Sequence, residues 1–252
     1  MAISGPGKMN APFTFYSHVG SLGEQVRFEI DHASGVIDIN IRRAADSSRI
    51  VKLSGPQATS FAHLTLHRHD LATAKRYLDV LDTLDSSDDE SHATACEALL
   101  IAAVVTTIKC FDASSAARDA LRPDTVLGTN TPVRADFNHI KFLRNKHISH
   151  DESNWLQSIP TAIIDEINGQ QSFGGVHGMV IRGESANADN LGKLRRVIDT
   201  ASAWVHTEWD QLAETLTNDL RSRSKAELAA LPDVSGDMPH EGSVGVNRGR
   251  SV

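Results

Sequence analysis

The sequence predicts a mainly α-helical protein: an antiparallel helical bundle with a small N-terminal β element and a β-hairpin inserted before a long last helix. Three observations predict it. Apolar residues recur at three- and four-residue spacing through most of residues 57–231. Near the N-terminus, Val26, Phe28 and Ile30, then Ile37, Ile39 and Ile41, alternate with polar residues instead. Between residues 158 and 184, Ala162-Ile163-Ile164 and Met179-Val180-Ile181 flank the turn formers Asn168-Gly169 and Gly174-Gly175.

Taken in order, residues 1–10 hold Gly, Pro and a lone Lys8 with no apolar core, and are predicted to be disordered and without a secretory signal. Residues 11–56 form the β-rich segment. Its two alternating runs are joined by the turn cluster Asp31-His32-Ala33-Ser34-Gly35, and a third short strand is expected at Ile50–Leu53. Ser54-Gly55-Pro56 then punctuates the chain. From Gln57 a helical face runs through Leu71, Ala74, Leu78, Leu81 and Leu84. Asp85–Glu90 is a break that supplies N-cap residues for a helix over Ser91–Phe111. That helix is apolar around much of its circumference and is expected in the middle of the bundle. Ala116–Leu121 reads as a helical turn ended by Arg122-Pro123-Asp124.

Thr131-Pro132 opens the next helix, Thr as N-cap and Pro in the first turn, with Val133, Phe137, Ile140 and Leu143 on its inner face. A polar segment, Arg144–Ser153, follows. After the 158–184 insertion, Leu191, Leu194, Ile198, Ala201, Val205, Trp209, Leu212, Leu216 and Leu220 mark the last helix over Asp189–Leu231. Unbroken, it would be roughly 60 Å long, enough to serve as a dimer arm. Residues 232–252 are Gly/Ser-rich and are predicted to be a disordered tail.

The chain has 252 residues, and 25 Lys+Arg against 32 Asp+Glu give a net charge of −7, which argues against a nucleic-acid coating protein but leaves room for one local basic site. Two cysteines, Cys96 and Cys110, exclude a disulfide scaffold and a cysteine-rich zinc fold, and fit a reducing cytoplasm. The longest apolar run, within Ala98–Val105, is short of a membrane span. The 12 histidines far outnumber the 2 tyrosines, so their positions become informative.

The densest polar cluster is Lys141 to Glu152. Lys141–Lys146 holds three cations and no acid in six residues. Arg144 can fork two hydrogen bonds to a phosphate, and histidine titrates near neutrality and passes protons. These are the parts of metal-free RNA cleavage. A base takes the ribose 2′-OH proton, the oxygen attacks phosphorus, and a cation stabilises the developing charge.

The stretch Arg144-Asn145-Lys146-His147-Ile148-Ser149-His150 resembles the signature of HEPN domains, in which an Arg and a polar residue precede a His after a short spacer. With Leu143 before it and Asp151 after it, it is similar to the abortive-infection subgroup. The resemblance implies a helical bundle, a homodimer, and a metal-independent endoribonuclease of prokaryotic antiphage defence or a toxin–antitoxin pair. It implies RNA as substrate, an antitoxin or defence-system partner, no cofactor and no membrane. By position, Arg144 would bind phosphate and His150 would be the general acid/base. Asn145 would orient Arg144 or touch the scissile phosphate. Lys141, Lys146 and His147 would contact substrate. On an ideal helix Arg144 and His150 lie about 120° apart, so they converge only where the helix distorts or across a dimer. His147, three residues from Arg144, suits a regular helix better. The alternative is a HEPN module without catalysis, binding nucleotide, RNA or a partner protein.

Other features have plainer readings. Arg144 could pair with a buried carboxylate, and His150 could cap a helix end. His63, His67 and His69 with Asp70 are weighed as a metal group against an exposed helix start; Leu64 stands where a His-Glu-x-x-His motif needs Glu. Lys193-Leu194-Arg195-Arg196 is a small basic face, His139 is expected in solvent, and Trp155, Trp204 and Trp209 are core or dimer anchors.

Overall fold

The structure, a computed structural model, describes residues 14–18, 25–30, 37–41, 51–84, 90–113, 118–148, 156–167, 169–183 and 186–233. The expected disordered ends lie outside these residues, apart from Pro232 and Asp233. The chain divides into two units, residues 62–208, and residues 1–61 with 209–252. Most described residues are helical.

Near the N-terminus, β1 (Thr14–His18), β2 (Gln25–Ile30) and β3 (Ile37–Ile41) form an antiparallel sheet in that order. Its register aligns Val26 with Ile41, Phe28 with Ile39 and Ile30 with Ile37, so the two alternating runs pair in phase. The expected third strand at Ile50–Leu53 does not join this sheet. Val51 instead bridges Asp233, and the Lys52 amide donates to the Pro232 carbonyl at 2.8 Å.

Four long helices follow, α1 (Pro56–Thr83), α2 (Glu90–Lys109), α4 (Pro132–Leu143) and α5 (Ala188–Ser222), with a short α3 (Pro123–Leu127). Within residues 62–208 each long helix buries one stripe: Leu71, Ala74 and Leu78 on α1; Leu100, Ala103 and Val104 on α2; Phe137 and Ile140 on α4; Leu194, Val197, Ile198 and Ala201 on α5. Ion pairs set the helix directions. Lys75 meets Asp199 at 2.8 Å and Arg195 meets Asp82 at 2.6 Å, so α1 and α5 run antiparallel. Arg196 meets the buried Asp136 at 2.8 Å, and His139 and Asn190 approach to 2.7 Å, so α4 and α5 do the same. His139 is therefore half-buried and bonded rather than in solvent.

Three local expectations change. Pro123 does not end a helical turn; it starts α3, because a first-turn proline lacks only an N–H that has no partner there. The last helix stops at Ser222. Ser224 and Glu227 form a reciprocal capping box that starts a separate α6 (Lys225–Ala229). And α2 is not central. Its opposite stripe, Ala98, Ile101, Ala102 and Val105, is half-buried or exposed, with Val105 at 40%. Among the described residues α2 alone is long and apolar enough to cross a membrane, with mean hydropathy 1.5.

The insertion is a single antiparallel ribbon, β4 (Leu156–Ile167) and β5 (Gln170–Arg182), about 40 Å long at about 3.3 Å per residue. Gly169, at φ +76°, supplies the left-handed turn position that an L side chain resists. A register shift between Ile163 and Ile164 leaves Gly174 unpaired, where an added Cβ would come within 2.5 Å of the Asp165 carboxylate.

Where α2 ends, the chain reverses around a buried polar cluster. The Leu121 amide donates to the Cys110 carbonyl at 2.9 Å. The Arg118 guanidinium, 7% exposed, lies 2.7 Å from the Asp70 carboxylate, with Lys109 on the same oxygen at 3.3 Å. The Arg118 contact is a close charge pair without an aligned hydrogen bond. His67, 1% exposed, approaches the Asp119 carbonyl through Nε2 at 2.9 Å. A carbonyl only accepts, so Nε2 carries the proton and Nδ1 the lone pair. That Nδ1 has no hydrogen-bond partner among the described residues. Burial pulls His67 down to about 4, against the opposing pull of the Asp119 bond. Burial pushes the Cys110 thiol up to about 12, so it is inert as a nucleophile.

The His67 shift sets an acid sensitivity. The folded value, about 4, lies below the ordinary 6.5, so the unfolded chain takes the proton first. The stabilisation is fully present above about pH 6.5 and is lost as pH falls toward 4. It amounts to about 3 kcal/mol. His67→Gln keeps a donor for the Asp119 carbonyl and cannot titrate. Urea midpoints at pH 7, 5.5 and 4 should fall less steeply for this variant than for wild type; equal slopes would contradict the assignment.

Arg118→Ala leaves Asp70 buried with only the largely exposed Lys109 beside it, and should cost about 3 kcal/mol. Asp70→Leu combined with Arg118→Met removes both charges and should cost much less than the single change. Thermal or urea unfolding distinguishes the two.

Candidate functional site

The polar segment singled out in the sequence begins where α4 ends. Thr131 caps α4 by accepting from the Arg134 amide at 3.1 Å, and Pro132 occupies the first turn. From there Phe137, Ile140 and Leu143 face the core, all under 9% exposed. Arg144 lies seven residues after Phe137 and four after Ile140, so it continues the inward stripe rather than the solvent face. It is accordingly half-buried. Its Nη1 donates to the Asn145 Oδ1 at 3.0 Å. Among the described residues no carboxylate lies within ion-pair distance of it. The plainer expectation of a buried acid partner is therefore not met there.

The α-helix stops at Leu143. Arg144–Ile148 form a π-helical turn that packs against α2. A π turn closes its hydrogen bonds one residue later than an α turn and occurs often at functional sites. The ideal-helix angle between Arg144 and His150 consequently does not hold through the motif. Nor does the argument that placed His147 well on a regular helix. The His147 side chain and the whole of His150 lie outside the described residues, as does Trp155. The structure thus brings Arg144 and Asn145 together. Lys141 and Lys146 are both exposed, on the last turn of α4 and on the π turn. Phe142, 65% exposed, stands beside Lys141 in sequence.

The other basic face is already neutralised. Lys193 pairs with Asp189, Arg195 with Asp82 and, at 3.8 Å, with Asp79, and Arg196 with Asp136. None of the three is left to attract a phosphate without first giving up an acid. Lys141, by contrast, has no acidic partner among the described residues.

The second histidine group is drawn into the packing of the chain reversal. Among the described residues no three His, Cys, Asp or Glu side chains converge on a common point. His67 is committed to the Asp119 carbonyl, and His63 Nδ1 accepts from the Asp119 amide at 3.3 Å. The group does not mark an exposed helix start either. His67 and Asp70 are buried, and their task is to hold the chain reversal after α2. Sequence reasoning missed Arg118 as their counter-charge, because nothing local ties it to a residue 48 positions earlier.

In the other unit, Trp209 packs on Phe61 with ring centroids 4.7 Å apart, an anchor rather than a stacking platform. A cavity of about 440 Å³ in that unit is lined by Leu53, Leu216, Leu220 and Leu231, with the Asp219–Arg223 pair at its wall. It contains no motif residue.

Comparison of the chain with family models, with curated proteins and with solved structures gives no match.

Proposed function

We propose that the protein is a HEPN-type, metal-independent endoribonuclease acting as a homodimer in prokaryotic antiphage defence or a toxin–antitoxin system. The observation that carries this reading is Arg144. It is a half-buried guanidinium at a break in the helix, held by Asn145 and without a carboxylate partner among the described residues. Burying a permanent cation without a counter-charge is costly; among the described residues Arg144 has none, and an incoming phosphate would supply one. The Asn145 bond supports the orienting role for that residue: it fixes one edge of the guanidinium and leaves other N–H groups for bidentate contact with phosphate.

In this mechanism His150 takes the proton of the ribose 2′-OH. The 2′-oxygen attacks the adjacent phosphorus, and the bond from phosphorus to the 5′-oxygen breaks. The leaving oxygen gains a proton, so the products carry a 2′,3′-cyclic phosphate and a 5′-OH. Arg144 stabilises the charge that builds on the phosphoryl oxygens. Lys141 and Lys146 hold flanking phosphates, and no step needs a metal ion.

RNA incubated with the full chain in EDTA should be cleaved, with cyclic-phosphate ends detected by mass spectrometry. Arg144→Ala or His150→Ala should lower the rate by at least about 100-fold. Asn145→Ala should lower it less, because Arg144 stays charged. Intact RNA at enzyme concentrations comparable to substrate would count against catalysis and favour a binding module without activity.

Salt dependence tests the substrate face separately. Lys141→Ala should reduce the slope of log affinity against log salt by about 1 for RNA binding. Arg195→Ala should leave the slope unchanged, since its charge is already matched by Asp82. Equal effects would place RNA elsewhere.

A further inference from the structure

Among the described residues, two apolar surfaces in residues 62–208 are left partly or largely exposed. The first is the β4–β5 ribbon. Residues paired in its register share a face, which puts Ile159, Ile163 and Met179 on one side, and Ile164, Phe173, Val176 and Val180 on the other. Exposure runs from 36% for Ile159 to 72% for Val176. Antiparallel strands with one wet face normally keep that face polar; this ribbon exposes large apolar side chains on both faces, and a lone two-stranded ribbon is marginal in water. Its large side chains expose on the order of 800 Å², about what each partner buries in a stable protein interface. The second surface is the outer stripe of α2, Ala98, Ile101, Ala102 and Val105. A helix apolar on all sides is ordinarily covered on all sides. The chain's own ribbon does not bury it, because Ala98 and Val105 of the stripe are exposed, as are the ribbon's large apolar side chains.

The chemistry selects the occupant. A bilayer is unsuited, since both ribbon edges would carry unpaired N–H and C=O groups into hydrocarbon. A nucleic acid is unsuited too: residues 157–181 contain no Lys or Arg, and Asp165 and Glu166 stand near the tip. A second copy fits. A two-fold axis makes one contact twice and so covers both surfaces of both chains. We infer that residues 156–182 are a dimerisation arm, each ribbon packing one face on the α2 stripe of a second copy and the other on its twin across the axis. This assigns a surface to the homodimer that the proposed function assumes, and it stands independently of the ribonuclease chemistry. A chain that dimerises this way without cutting RNA keeps this inference and loses that one.

Light scattering and sedimentation equilibrium on the full chain should give a dimer. Val176→Asp and Ile163→Asp, on opposite ribbon faces, and Val105→Asp on α2 should each raise the dimer dissociation constant at least about 100-fold with unchanged far-UV circular dichroism. A direct readout covers the case in which an aspartate disturbs folding. In a Cys96→Ser background, Val176→Cys and Val105→Cys proteins mixed under mild oxidation should form a mixed disulfide between chains. A monomeric wild type, a dimer that survives both ribbon and α2 charges, or a disulfide that forms only within one doubly substituted chain would overturn the arm.

Discussion

The fold of residues 62–208 turns on the contact between Asp70 and Arg118. The carboxylate sits on the inner side of α1, the guanidinium just before the segment that leads into α3, and both are nearly out of solvent at 2.7 Å separation. Neither charge is tolerable there without the other, so the pair specifies where the chain must go after α2. His67 and the Cys110 carbonyl reinforce the same reversal with bonds to Asp119 and Leu121. Everything that positions the motif follows from that reversal: α3 starts at Pro123, Thr131 caps α4, and α4 delivers Arg144 to the end of its buried stripe. An ion pair outside the motif thus fixes the chain reversal from which α3 and α4 lead to Arg144.

The helices were legible where local chemistry marks them. Thr131-Pro132 announced α4 because cap and proline act within one turn, and the apolar spacing of α1 and α5 gave their buried faces. The break at Ser222 was equally local, since Ser224-Lys225-Ala226-Glu227 is a capping box. It was masked because Leu216, Leu220 and Leu231 carry helical spacing across it. The Asp70–Arg118 and Asp136–Arg196 pairs were not legible, being separated by 48 and 60 positions with no periodic signal. For the candidate site, the sequence named Arg144 and Asn145 but not the π turn that holds them. No Gly or Pro marks that turn, so nothing local in the sequence separates it from a continued α-helix.

Helix α2 shows a different limit. Apolar periodicity tells how much of a helix prefers cover, not what provides it. With Ala, Val, Leu and Ile around its circumference, α2 reads as central, yet only one of its stripes is buried in the chain. The ribbon carries the same ambiguity in period two: Ile163-Ile164 and Met179-Val180-Ile181 supply apolar side chains to both faces. A core strand and an arm for another subunit write the same sequence.

A net charge of −7 disfavours polyanions at long range, so any phosphate site on this chain would need a local excess of cations. Composition offers two such places, residues 141–146 and residues 193–196. Packing separates them, because α5 lies antiparallel to both α1 and α4 and meets acids on each. Arg195 and Arg196 are therefore consumed in holding helices together, and Lys193 is matched by Asp189 one turn earlier on α5 itself. At the end of α4 the helix bond pattern changes, Asn145 is the side-chain acceptor that Arg144 finds among the described residues, and Lys141 points into water unpaired among them. The two basic stretches are alike in composition, yet one pairs with acids, while Lys141 and Arg144 of the other have no acidic partner among the described residues.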